Sequence, residues 1–168
     1  LIFKKGNKLP VINNESDYSF WYKTIDKYQK YNFLKSQDNT EGNRATFSFI
    51  IDCVGSNCNS IENCINSIKT QCEKDFEAIV CTDKYCKEIK KSNEKLEILE
   101  ISSNNKSILL NRSSKKAKGK ILVFISPESI LSEDALNFFN FFYNDFPNKS
   151  VFYTDEDELD HFKRRKKP

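Results

Sequence analysis

The sequence predicts an α/β protein in which helices cover both faces of a mostly parallel sheet, three layers in all. Three observations predict it. Short apolar runs rich in β-branched and aromatic residues recur at residues 47–51, 76–81 and 120–125, as expected of strands buried on both faces of a parallel sheet. Amphipathic stretches with helix-capping residues at their starts lie between the runs. Each run ends in polar residues, Asp52, then Thr82 and Asp83, then Ser126, at the carboxyl edge where parallel sheets bind ligands.

Residues 1–44 read as a segment apart from the α/β domain of residues 45–168. Its first part is a polar arm. Tyr18, Trp21, Ile25 and Tyr28 then follow 3-4-3 spacing, which gives an aromatic helix face suited to docking. Residues 36–44 are turn formers and make a linker.

In the α/β domain, the first strand stops at Asp52, and Ser56, Asn57 or Asn59 can cap the helix that follows. Ile61, Cys64, Ile65, Ile68 and Cys72 fall on one face of that helix. A second buried strand ends at Cys81. Residues 85–92 read as a short lysine-rich helix, and the alternating Leu-Glu-Ile-Leu-Glu-Ile from Leu96 as a strand near the sheet edge. A helix from about Ser107 to Lys116 is expected next, with Ile108, Leu109 and Arg112 on one side and Gly119 as its C-cap. Residues 120–125 form another buried strand. Ser132 is the expected cap of a helix carrying Leu136, Phe139 and Tyr143, which Pro147 ends. Residues 150–154 complete the pattern as a fifth strand.

Composition narrows the function. At 168 residues the chain can bury a full core without staples. No apolar run approaches the roughly 20 residues of a membrane span. The net charge of +3 comes from residues 163–167, five cations in a row, without which the balance is −2. Nucleic-acid binding is therefore not expected. The six cysteines contain no Cys-x-x-Cys pair, and the single histidine, His161, lies far from them in a charged tail. They read as reduced, structural thiols, which points to the cytosol. Only four glycines occur, with no Gly-x-Gly-x-x-Gly, which weighs against a dinucleotide site.

The run Asn63-Cys64-Ile65-Asn66-Ser67-Ile68-Lys69-Thr70-Gln71 followed by Phe76-Glu77-Ala78-Ile79-Val80 resembles the first βαβ unit of family 2 glycosyltransferases. Asn111 with Ala117-Lys118-Gly119, Asp134-Ala135-Leu136, and Tyr153-Thr154-Asp155-Glu156-Asp157 keep the same order and spacing. The chain is most similar in these stretches to bacterial O-antigen or rhamnan-type transferases. The resemblance implies a Rossmann-like GT-A fold and a nucleotide-diphosphate-sugar site at the carboxyl edge, formed by Asp52, Thr82, Asp83, Asn111 and Ser126. It implies transfer of the sugar to a glycan or lipid-linked acceptor, in the cytoplasm or at the inner face of the membrane. It also implies that acceptor contacts and the general base lie in a further half or domain of the same protein.

The same resemblance implies a divalent metal, Mg²⁺ or Mn²⁺, on the donor pyrophosphate. Its usual Asp-x-Asp aligns with Ser126-Pro127-Glu128, which keeps one lengthened carboxylate. Glu128 is thus the candidate ligand, with Asp155 and Asp157 as further carboxylates, and Lys84, Lys118 or Lys120 as cations that could replace the metal. The altered signatures also fit a second function, an inactive glycosyltransferase-like domain serving as an interaction or positioning module.

Overall fold

The apolar run beginning at Phe47 is buried along nearly its whole length because it occupies the interior of the sheet. The computed structural model of the chain describes residues 45–71, 75–82, 96–100, 105–154 and 156–160, together with Tyr18 and Tyr22. The chain forms two compact units, Gly42–Asn148, and Leu1–Glu41 with Lys149–Pro168. The first contains β1 (Phe47–Asp52), α1 (Cys58–Lys69), β2 (Phe76–Thr82), β3 (Leu96–Glu100), α2 (Lys106–Lys116), β4 (Ile121–Ile125) and α3 (Ala135–Asp145). Its strands are all parallel, in the order β3-β2-β1-β4.

Period-two alternation sends the side chains of β1 into two cores. Phe47, Phe49 and Ile51 face α1 and α3, where they pack with Ile61, Cys64, Ile65, Ile68 and Leu136. Ile50 faces the other way and packs with Ile79, Cys81 and Leu109 of α2. The result is the expected three-layer arrangement. Phe49 is fully buried and meets Phe76 edge to face, with ring centroids 6.1 Å apart.

Local chemistry sets the helix ends. Asn57 is the cap of α1, accepting the Ser60 amide at 2.8 Å. Asn105 caps α2 by accepting the amides of Ser107 and Ile108. The buried side of α2 is formed by Leu109 and Ser113, with Ile108 and Arg112 exposed. Asp134 is the N-cap residue of α3, and Ser132 contributes its carbonyl, which accepts the Ala135 amide at 3.1 Å, in place of a capping hydroxyl.

Three further expectations are corrected. Ala117, not Gly119, is the cap residue that closes α2. Gly119 instead lies against β1, where a Cβ would stand 2.6 Å from the Ser48 amide nitrogen, so the loop can approach only without a side chain. β4 is an edge strand, and while Ile121, Val123 and Ile125 join the core, Leu122 and Phe124 are 38% and 57% exposed. Residues 150–154 form no ladder, and Tyr153 is 94% exposed.

Cys53, Cys64 and Cys81 are free and buried, as expected. Cys58, exposed at the start of α1, is disulfide-bonded, its partner outside the described residues. The argument from reduced thiols to a cytosolic setting is weakened by that bond. No helix among the described residues is long and apolar enough to cross a membrane. The helix expected at residues 85–92, the linker at 36–44, and Trp21, Ile25 and Tyr28 lie outside the described residues. Tyr18 is helical and buried, and its hydroxyl donates to Asp157 at 2.8 Å within the second unit.

Candidate functional site

Strand order decides where a ligand can sit. The chain runs outward from β1 through β2 to β3, then crosses back to set β4 on the other side of β1. The order reverses between β1 and β4, and the crevice outside the carboxyl ends of those strands is where open parallel sheets take ligands. Ile51 and Ile125 are register partners. Asp52 and Ser126, each one residue further on, therefore flank the crevice, and Thr82 ends the neighbouring β2.

Asp52 is held from two sides. Its Oδ1 accepts the Val54 amide at 3.4 Å, and its Oδ2 pairs with the Lys106 ammonium at 3.1 Å. The loop that follows is pinned by the Cys53 amide on the Cys81 carbonyl at 2.8 Å and by the Ser56 amide on the Cys53 carbonyl at 3.1 Å. Gly55 makes that turn at φ +75°, a conformation open to glycine at little cost.

The loop after β4 is registered by Cys64 and Ser67 of α1 and by Gln71 just past its end. The Cys64 thiol donates to the Ser126 carbonyl at 3.6 Å. The Ser67 hydroxyl accepts the Leu131 amide at 3.1 Å and donates to the Cys64 carbonyl at 2.7 Å. Gln71, fully buried, donates to the carbonyls of Ser67 at 3.0 Å and Ser132 at 2.7 Å and accepts the Leu136 amide at 3.2 Å. Ser67 and Gln71 were not among the expected site residues. A serine on an otherwise apolar helix face and a glutamine just past the helix end were the available signal.

The other expected residues are distributed as follows. Thr82 is buried at the end of β2, and Ser126 and Glu128 are exposed in the β4–α3 loop, where the Ser126 hydroxyl accepts the Glu128 amide at 3.3 Å. Asn111 lies midway along α2 and is exposed. Asp157 belongs to the second unit. Asp83, Asp155 and Lys84 lie outside the described residues. Lys118 and Lys120 are at the opposite edge of the sheet: the Lys118 amide donates to Glu77 at the start of β2, and the Lys120 amide to the Thr46 hydroxyl just before β1. They cannot serve as cations at the carboxyl edge.

Among the described residues no three His, Cys, Asp or Glu side chains converge on a point. The crevice offers two described carboxylates, and Asp52 is already neutralised by Lys106. Glu128 alone, beside a serine, does not fit a protein-anchored Mg²⁺ or Mn²⁺, which seeks several well-placed oxygens. Nor do the thiols supply ligands. Burial pushes Cys64 up to about 12 and raises Cys53 and Cys81 as well, so all three remain protonated at neutral pH.

No protein-family model and no curated protein sequence matches the chain. Solved structures do. S. aureus TarS matches with a TM-score of 0.54 at 20% identity, over 61% of this chain and 20% of that one. S. aureus TarS 1-349 in complex with UDP-GlcNAc matches with a TM-score of 0.51 at 21% identity, over 61% of this chain and 32% of that one. A mannosyltransferase from Pyrobaculum calidifontis, in complex with GDP-Man and Mn²⁺, matches with a TM-score of 0.53 at 15% identity, over 76% of this chain and 41% of that one. At these identities the likeness shows a shared fold. The chain spans between a fifth and about two fifths of the length of these proteins.

Proposed function

We propose that the chain is the donor-binding part of a family 2 glycosyltransferase of bacterial polysaccharide synthesis, transferring a sugar from a nucleoside diphosphate to a glycan or lipid-linked acceptor. One observation carries this reading: Asp52 and Ser126 flank the carboxyl edge where the strand order reverses and Thr82 ends the next strand, in a fold shared with structures bound to UDP-GlcNAc and GDP-Man. Asp83 follows Thr82 directly and belongs to the same proposed site, and Asn111 is its outlying member. Acceptor contacts and the general base are assigned to a further part of the protein. A cytoplasmic setting at the inner face of a membrane completes the proposal; the free thiols of Cys53, Cys64 and Cys81 support it and the disulfide at Cys58 counts against it.

A ligand that binds only the folded state stabilises it, by about 2.7 kcal/mol at a free concentration about 100 times its Kd. UDP or GDP is therefore expected to raise the melting temperature of the chain by several degrees. The second reading, an inactive positioning module, is favoured by Ser126 standing where the family has a carboxylate. It predicts no shift with either nucleotide.

A further inference from the structure

We propose that Lys106 is the cation of the donor site and that it takes the diphosphate of a nucleotide sugar without a divalent metal. The proposal rests on the donor-site reading above and specifies how that site neutralises charge.

Lys106 is the first residue of α2, which begins at the carboxyl edge of the sheet. Its ammonium is fixed there by Asp52, 3.1 Å away at the end of β1 and so beside the β1/β4 crevice. The pairing has two consequences. It cancels the charge of Asp52, which would otherwise repel a diphosphate. It also leaves donors for a ligand, because an ammonium has three N–H groups and the Lys106 side chain is 74% exposed where Asp52 is only 17% exposed. The amino end of the 11-residue α2 adds a partial positive charge at the same place.

The alternatives are weaker. Glu128 is a single exposed carboxylate with a serine two residues before it, and Asp52 would have to leave Lys106 to join it on a metal. Lys118 and Lys120 lie at the wrong edge. A lysine binds phosphate as a point charge, with no need of the oxygen set a metal requires.

Isothermal titration of the 168-residue chain with UDP and with GDP, each in EDTA and in Mn²⁺, tests the proposal. Wild type is expected to bind at least one nucleotide with the same Kd, within about twofold, in both buffers. Lys106→Met is expected to weaken binding by about tenfold or more and Lys106→Arg by much less, because charge-assisted hydrogen bonds to phosphate are the strong ones. Lys118→Met at the far edge is expected to leave Kd unchanged. Unaltered melting temperatures separate loss of the cation from loss of the fold. Binding that requires Mn²⁺, or a Lys106→Met variant that binds as wild type does, overturns the proposal and leaves the donor reading standing. Failure of wild type to bind either nucleotide in either buffer overturns the donor reading, and the proposal with it.

Discussion

Gln71 has no exposed surface, and its carboxamide joins the end of α1 to both the carbonyl of Ser132 and the amide of Leu136. Gln71→Leu keeps most of the volume but strands the Leu136 amide away from water, at about 1–3 kcal/mol, while the Ser132 carbonyl keeps the Ala135 amide. Urea unfolding is expected to show a loss of about 1–3 kcal/mol, and an unchanged midpoint would contradict the role assigned to the carboxamide. Gly119→Ala is expected to cost about 1–3 kcal/mol, because the new methyl group meets the Ser48 backbone and the loop must shift. Glu77 carries a pH dependence. Burial alone would raise its pKa, but the Ser48 hydroxyl, the amides of Lys118 and Gly119 and the Lys118 charge together hold it below the usual 4.5. A carboxylate whose folded pKa is depressed contributes stability above its unfolded value, and that contribution is lost as pH falls through the folded value. Wild type should therefore lose stability below about pH 4.5 more steeply than Glu77→Gln. Parallel acid-unfolding curves for the two proteins would contradict this.

Among the elements, α1 does two jobs with one face. Ile61, Cys64, Ile65 and Ile68 bury it against β1 and β2, and Cys64 and Ser67, with Gln71 just past the helix end, hold the loop that carries Ser126 and Glu128. The first job was legible in the sequence, because helical periodicity is local and the apolar spacing states it directly. The second was not, since Gln71 and Ser132 are 61 residues apart and nothing in either segment names the other. Gly119 shows the same limit. Beside a helix end it reads as a cap, and its true partner, Ser48, is 71 residues away. β4 reads as doubly buried because its run is continuously apolar, yet the strand lies at an edge and Phe124 is left 57% exposed. Residues 150–154 have strand-forming side chains but no ladder, since a strand needs a partner and side-chain preference alone supplies none. The placement of Asp52, Thr82 and Ser126 at the carboxyl edge was legible from the ends of the apolar runs. Lys106 was not, because its meaning comes from the crossover that brings the start of α2 to the end of β1.

For the molecule as a whole, the two edges of the same sheet differ in what they present. The carboxyl edge has the reversal of strand order, a pinned turn at Gly55 and a lysine held by Asp52. The amino edge has the closed network of Ser48, Glu77, Lys118 and Gly119. The most direct test is amide hydrogen exchange with and without saturating UDP, read residue by residue. The proposed donor site predicts slowed exchange at residues 53–56, 106–108, 126, 128 and 129, with residues 118–120 unaffected. Protection confined to the amino edge, or none anywhere in the chain, would contradict it.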